Sequence, residues 1–174
     1  MIEKIRRLDE RIVIYINQNV KRRYLDIFFI ATTYLGSDLF AMGFILAFAL
    51  LPINHINDFA LYTAIALMLS SVTVGILKNT IRRKRPFETI IELESLKIGV
   101  DQFSFPSGHT SAAFCIAVMS ALVTSGHGVS LIYLVLAFLV ALSRVYLGVH
   151  YPSDVITGAF IGSFFAVTVN LFRS

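Results

Sequence analysis

Along the first stretch of the chain, apolar residues recur at three- and four-residue steps. Ile5, Leu8, Ile12, Ile16 and Val20 stand at such positions within residues 2–22, which puts one apolar stripe on a helix. Lys4, Arg6, Arg7 and Arg11 occupy its other faces. That pattern suits a helix lying in a membrane interface, and it equally suits an amphipathic helix packed on the body of the protein. From Tyr24 to Ile53 the character changes, and Asp26 and Asp38 are the only charges. A helix of that length rises about 45 Å, enough for one crossing with an interfacial lead-in. Gly36-Ser37-Asp38 predicts a break, with Leu39 to Leu51 deepest in the membrane, and Pro52 to Asp58 reads as a short polar turn. Four more apolar runs follow: Phe59 to Leu77, Ser107 to Thr124, Val129 to Leu147 and Pro152 to Leu171. Each comes close to the roughly 20 residues a membrane helix needs. Residues 87–105 form the longest polar connection, and Ser125 to Gly128 a tight turn. The pattern predicts an all-α, polytopic membrane helix bundle of about five transmembrane helices, preceded by an N-terminal amphipathic interfacial helix. It divides into residues 1–23 and a transmembrane domain over 24–174.

Composition agrees. Hydrophobic residues make up 56% of the chain and charged residues 15%, against roughly 25% charged in soluble proteins. Mean hydropathy is +0.75. The single cysteine, Cys115, excludes an internal disulfide and reads as a buried packing residue. With no Trp, Tyr and Phe must supply any interfacial aromatic belt. Residues 1–23 are charged throughout and lack the apolar core of a cleavable signal peptide. The net charge of +4 is unevenly spread: seven of the 15 Lys and Arg precede residue 24, and five more fall between Lys78 and Arg85. Because these cations lie beside hydrophobic spans, the expected partners are an anionic lipid bilayer and a phosphorylated membrane lipid, with no nucleic acid.

Three polar clusters interrupt the oily runs: Lys78 with Arg85-Pro86, then Pro106-Ser107-Gly108-His109, then Ser143-Arg144 with His150 and Asp154. Counting crossings puts them on one face. The second span ends at Lys78–Arg85, and the third starts at Ser107 after a loop on that side. The fourth returns there at Arg144–His150, and the fifth leaves from Asp154. Charge at a membrane edge is costly, so three such clusters on one face suggest a shared site. Lys78 and Arg85, about two helical turns apart, could project from similar faces of one helix end and offer cations to a phosphoryl group. Taken alone, they could equally be topology anchors. Ser107 suits an N-cap, Gly108 lets the backbone approach a ligand, and the first amides of the following helix make an anion site. Tyr151-Pro152 sets an extended entry to a helix whose first turn holds Asp154. From there the carboxylate can reach back to His150, fix its tautomer and raise the basicity of the other nitrogen.

Together, Lys78-x6-Arg85-Pro86, Pro106-Ser107-Gly108-His109 and Ser143-Arg144-x5-His150-x3-Asp154 resemble the three-part signature of the type 2 phosphatidic acid phosphatase family. These are membrane lipid phosphatases that share a core with vanadium haloperoxidases. The resemblance covers about residues 59–172. It implies that His150 attacks phosphorus to give a phosphohistidine, that Asp154 orients it, and that His109 protonates the leaving oxygen and later activates water. It further implies that Lys78, Arg85, Arg144, Ser107 and the Gly108 amide hold the phosphate oxygens, with no metal and no cofactor.

The expected function is hydrolysis of a lipid phosphate or diphosphate, with undecaprenyl diphosphate, phosphatidylglycerol phosphate, phosphatidic acid and lipid A 1-phosphate as candidates. Transfer of the phosphoryl group to another lipid would use the same residues, and a non-catalytic lipid-phosphate binding or transport protein is the remaining alternative. A haloperoxidase is disfavoured by the membrane character. Many bacterial family members have six spans, and five put residues 1–23 on the catalytic face. That side then carries all Lys and Arg but Arg173, which by the positive-inside rule favours the cytoplasm. Family habit favours the outer face of a bacterial inner membrane, and that is the expectation adopted.

Overall fold

The computed structural model describes residues 2–51, 54–123 and 127–172, and among them there is no β-strand. The α-helices among these residues follow in order: α1 (Ile2–Tyr15), α2 (Arg23–Thr33), α3 (Asp38–Ala49), α4 (Asn54–Ile81), α5 (Pro86–Thr89), α6 (Gly108–Val123), α7 (His127–Tyr146) and α8 (Pro152–Leu171). Of the turns expected over Pro52–Asp58 and Ser125–Gly128, residues 54–58 and 127–128 belong instead to α4 and α7, while the rest of both turns and the opposite-side cation Arg173 lie outside the described residues.

Among the described residues, α4, α7 and α8 are long and apolar enough to cross a membrane, and a bent pair could make a fourth span. The bent pair is α2 with α3, at 55°. Its break falls where Gly36-Ser37-Asp38 predicts it. Ser37 is extended, and its hydroxyl accepts from Phe40 N at 3.2 Å, capping α3. The remaining expected crossing, the third in chain order, is α6, whose 16 residues rise only about 24 Å. Length and composition therefore account for three or four crossings rather than five.

α6 compensates for its shortness by position. It packs against α4, α7 and α8, and Ala112, Ala113, Cys115, Ile116, Ala117 and Met119 are buried. Its closest neighbour is α8, because Gly158 and Gly162 face it. A Cβ at either glycine would collide with the Ser107 or Ser111 carbonyl oxygen of the facing backbone. This small-x3-small spacing lets two membrane helices touch backbone to backbone. Between α4 and α6 the hydroxyls of Ser70 and Ser111 pair at 2.6 Å in the interior. Large apolar side chains point outward instead: Leu61, Met68 and Ile76 on α4, Leu131 and Phe138 on α7, Ile156, Phe160 and Phe164 on α8. That inversion is what lipid rewards, and the chain is an integral membrane protein.

The N-terminal segment departs from the single helix expected over 2–22. α1 ends at Tyr15, and a π-helical turn over Ile16–Val20 follows. The stripe itself divides. Val13 and Asp9 are buried against the bundle, whereas Ile5 and Leu8 remain exposed. The helix thus docks on the body by one face and leaves an apolar edge, Ile5 and Leu8, exposed. A period-based reading could not foresee a carboxylate on the buried face, since its partner, Arg83, is distant in sequence.

Candidate active site

All eight residues singled out from the sequence gather at one end of the bundle, although not always by the expected route. α4 carries Lys78 in its last turn and ends at Ile81. Arg82 then takes a left-handed conformation at φ 52°, and the chain turns away. Arg85 therefore does not share a helix face with Lys78, as two-turn spacing suggested. It stands immediately before α5, where Glu88 Oε2 accepts from its amide at 2.8 Å. What joins the two cations is Asp101 in the long connection. Its Oδ1 accepts from Arg85 Nη2 at 2.7 Å, and its Oδ2 pairs with Lys78. Burial opposes the Asp101 carboxylate, but Lys78 and Arg85 outweigh it and hold its pKa below the ordinary value.

Arg85 is 1% exposed and fully engaged. Its Nε donates to Asp101 O at 2.9 Å, Nη2 also to Phe103 O at 3.1 Å, and Nη1 to Val149 O at 2.8 Å. Nη1 also lies 3.2 Å from His150 Nε2. A guanidinium has no acceptor, so His150 Nε2 must bring the lone pair and the ring proton sits on Nδ1. That proton faces Asp154, whose Oδ2 is 3.5 Å away, a close electrostatic contact short of an aligned hydrogen bond. Both side chains are buried. Burial, reinforced by Arg144 and Arg85, outweighs Asp154 and lowers the His150 pKa to about 4. The imidazole is neutral at ordinary pH and offers a lone pair beside a cation.

Asp154 is fixed by three donors. Its Oδ1 accepts from Arg83 Nη1 at 2.6 Å, and its Oδ2 from Tyr151 N at 2.9 Å and from Ser104 Oγ. Tyr151-Pro152 adopts the extended geometry expected before α8. Ser107 caps α6 as the sequence suggests, accepting from Thr110 N at 3.4 Å and pairing with Thr110 Oγ1 at 2.9 Å. Gly108 has room: a Cβ there would meet only Val74, at 3.8 Å.

His109 and Arg144 both border Gly99, whose φ of +57° only glycine adopts readily. A Cβ on Gly99 would stand 2.6 Å from His109 Nε2 and 3.8 Å from Arg144 Nη1. Arg144 donates from Nη1 to Thr33 Oγ1 at 2.7 Å and to Ile98 O at 3.0 Å, and from Nη2 to Gly99 O at 2.9 Å. Its buried Nε has no protein acceptor among the described residues. Near Lys78, a cavity of about 200 Å³ is lined by Asp38, Gly108, Ser111 and Asp101, among others. The site therefore offers a neutral buried imidazole, a second histidine and converging cations beside an opening. Such an arrangement suits in-line attack on a phosphoryl group. Among the described residues, no three His, Cys, Asp or Glu side chains are grouped to hold a metal ion.

Sequence reasoning missed Arg83, Asp9, Ser104, Gly99 and Thr33, and singled out no residue of the polar connection over 87–105, where Asp101 lies. Arg83 was hidden in a basic run that topology alone explains. Thr33 lies in an apolar run without any mark.

Residues 59–174 match the PAP2 superfamily. The bacitracin transport permease protein BcrC of Bacillus licheniformis is 35% identical over 109 residues, 63% of this chain and 53% of that protein. An undecaprenyl-diphosphatase of Sulfolobus acidocaldarius is 32% identical over 114 residues, 66% of this chain and 55% of that protein. The chain thus spans about half the length of these curated relatives. Among solved structures, Aquifex aeolicus LpxE superimposes with a TM-score of 0.81 at 30% identity, covering 94% of this chain and 95% of that one. A PAP2-type phosphatidylglycerolphosphate phosphatase from Bacillus subtilis gives 0.82 at 26% identity, covering 97% and 86%. The family match takes in all three clusters, on α4 from Phe59 onward through α8, and the chain belongs to the PAP2 superfamily.

Proposed function

We propose that the protein is a membrane lipid phosphatase that works through a phosphohistidine at His150. The observation that carries this reading is the pairing of His150 Nε2 with Arg85 Nη1 at 3.2 Å while Nδ1 faces Asp154. The lone pair on Nε2 attacks phosphorus, and the phosphorus–oxygen bond to the lipid breaks. The leaving oxygen takes a proton from His109. Water then attacks the phosphohistidine, His109 takes its proton, the phosphorus–nitrogen bond breaks and inorganic phosphate leaves. Lys78, Arg85, Arg144, Ser107 and the Gly108 amide hold the oxygens, where charge stabilisation supplies most of the rate. No metal enters this sequence of steps.

The substrate class follows from relatives named for polyprenyl diphosphate, lipid A phosphate and phosphatidylglycerophosphate hydrolysis. All three are phosphorylated headgroups on membrane anchors, which fits a site at the end of a lipid-facing bundle. The proposed location is a bacterial inner membrane with the site at the outer face, and residues 1–23 forming an interfacial helix beside the domain over 24–174.

Purified protein in detergent should release phosphate from at least one of these lipids with chelator present, and a strict requirement for added Mg²⁺ would reject the mechanism. His150→Ala should abolish both release and the acid-labile phosphoenzyme; substantial residual turnover removes His150 as nucleophile. His109→Ala should slow alkyl phosphates far more than activated aryl phosphates, whose leaving groups need no proton. Equal losses argue against the acid role.

A further inference from the structure

Asp9 is an acid on α1, outside the matched residues 59–174, yet it is only 3% exposed. A helix docking by Val13 and its apolar neighbours needs no carboxylate in the contact, and burying one is unfavourable unless it is paired. Its pairing leads to the site. Asp9 Oδ1 accepts from Ser153 N at 3.0 Å, and Oδ2 from Ser153 Oγ at 2.5 Å and from Arg83 Nη2 at 2.8 Å. The other fork of Arg83, Nη1, donates to Asp154 Oδ1 at 2.6 Å and to Ser153 Oγ at 2.7 Å. The guanidinium also lies 4.0 Å over the Tyr151 ring, so it is held on its face as well as at both ends. One arginine is thus shared between a carboxylate of the N-terminal helix and the carboxylate facing His150.

We propose that Asp9 is a positioning residue for the reaction at His150, acting through Arg83 on Asp154. It rests on the phosphatase reading above. As His150 attacks, its ring becomes cationic, and Asp154 must carry enough negative charge to support it. An arginine paired with Asp154 alone would draw that carboxylate toward itself and neutralise it. Asp9 takes one fork of the guanidinium and part of its charge, which leaves Asp154 in place and free to face Nδ1. Carboxylates that orient metal-bound histidines typically cost about 10- to 100-fold when removed, and a carboxylate that orients a reacting histidine is comparable in kind.

The test uses the full chain in detergent with mixed micelles of phosphatidic acid, measuring phosphate release. Asp9→Asn preserves shape and removes charge. It should lower kcat about ten-fold while KM stays within about two-fold, as expected for support that matters in the transition state. Arg83→Gln should also lower kcat, and Asp9→Asn added to it should cause no further loss, since the two act in one chain. Val13→Ala loosens the same docking without touching Asp9, and should lower the melting temperature with kcat retained. Unchanged kcat in Asp9→Asn overturns the proposal, and so does a loss that adds in full to that of Arg83→Gln. So does a kcat loss in Val13→Ala matching that of Asp9→Asn, which would mark mere docking. If Asp9→Asn does not fold, Arg83→Lys serves instead. A single ammonium cannot hold two carboxylates as a fork does, so kcat should again fall selectively, and a wild-type kcat there overturns the proposal. Failure of the wild-type protein on every lipid phosphate rejects the phosphatase reading itself, whereas wild-type turnover with an unaffected Asp9→Asn rejects only the role of Asp9.

Discussion

Asp101 holds the two cations nearest the cavity, Lys78 and Arg85, and a phosphate arriving there competes with its carboxylate. It is more than half exposed, where an ion pair is worth at most about 1 kcal/mol. Asp101→Asn should therefore lower KM by about two- to five-fold. A raised KM would show instead that Asp101 organises the cations. The histidine opposite gives a pH dependence. With its pKa near 4 instead of the ordinary 6.5, neutral His150 persists well below pH 6, and the acid limb of kcat/KM governed by this group should fall near pH 4. The same shift links to stability. Between about pH 4 and 6.5 the unfolded chain binds the proton that the folded site refuses, so stability is full above that window and declines as pH falls through it. An acid limb near 6.5 would contradict the desolvated environment. Gly108→Ala addresses a different atom. The protein leaves space for that methyl group, so melting should be unchanged, and a raised KM would place a ligand against the α6 amides.

Among the elements, the contact between α6 and α8 decides whether the site exists. Ser107 N donates to Asp154 O at 3.1 Å across it, tying the start of one helix to the first turn of the other. Gly162→Val would push the new Cβ into the Ser111 carbonyl and Cys115 amide. Both obstacles are backbone, which cannot rotate aside, so the loss should reach about 1–3 kcal/mol or more. Cys115 offers the readout: it is buried and in no disulfide, so a thiol-reactive dye labels it only on unfolding. A melting temperature equal to wild type would refute the close approach. The break at Ser37 and the caps at Ser107 and Tyr151-Pro152 were legible in the sequence, because each is local chemistry. The end of α4 was not, since nothing in Arg82 announces a left-handed residue.

For the whole molecule, the N-terminal segment and the long connection lie at the end that holds the candidate site. Asn17 Nδ2 donates to Glu94 O at 2.9 Å and its Oδ1 accepts from Glu94 N at 3.1 Å, while Asp9 reaches Arg83 and Ser153. An odd number of crossings would place residues 1–23 there, and these bonds agree with that side. Ile91 is fully exposed in the connection, so a cysteine at that position reports which way the end holding the candidate site points. If the site faces outward, a membrane-impermeant maleimide should label Ile91→Cys in intact spheroplasts, with buried Cys115 giving little background. Labelling only after permeabilisation would assign the cytoplasmic face, in line with the basic residues that crowd this end.

By itself the sequence determined the helical membrane class, the three clusters and their common face, because those follow from hydrophobic run length, local capping and the parity of crossings. The spacing of His150 and Asp154 likewise needs only the first turn of α8. Tertiary structure decided the rest. Asp101 bridges Lys78 and Arg85, the Thr33 hydroxyl and the carbonyls of Ile98 and Gly99 hold Arg144, and Asp9 shares Arg83 with Asp154. These contacts join residues far apart in the chain, where charge and burial are settled by the packing of helices and leave no periodicity to read.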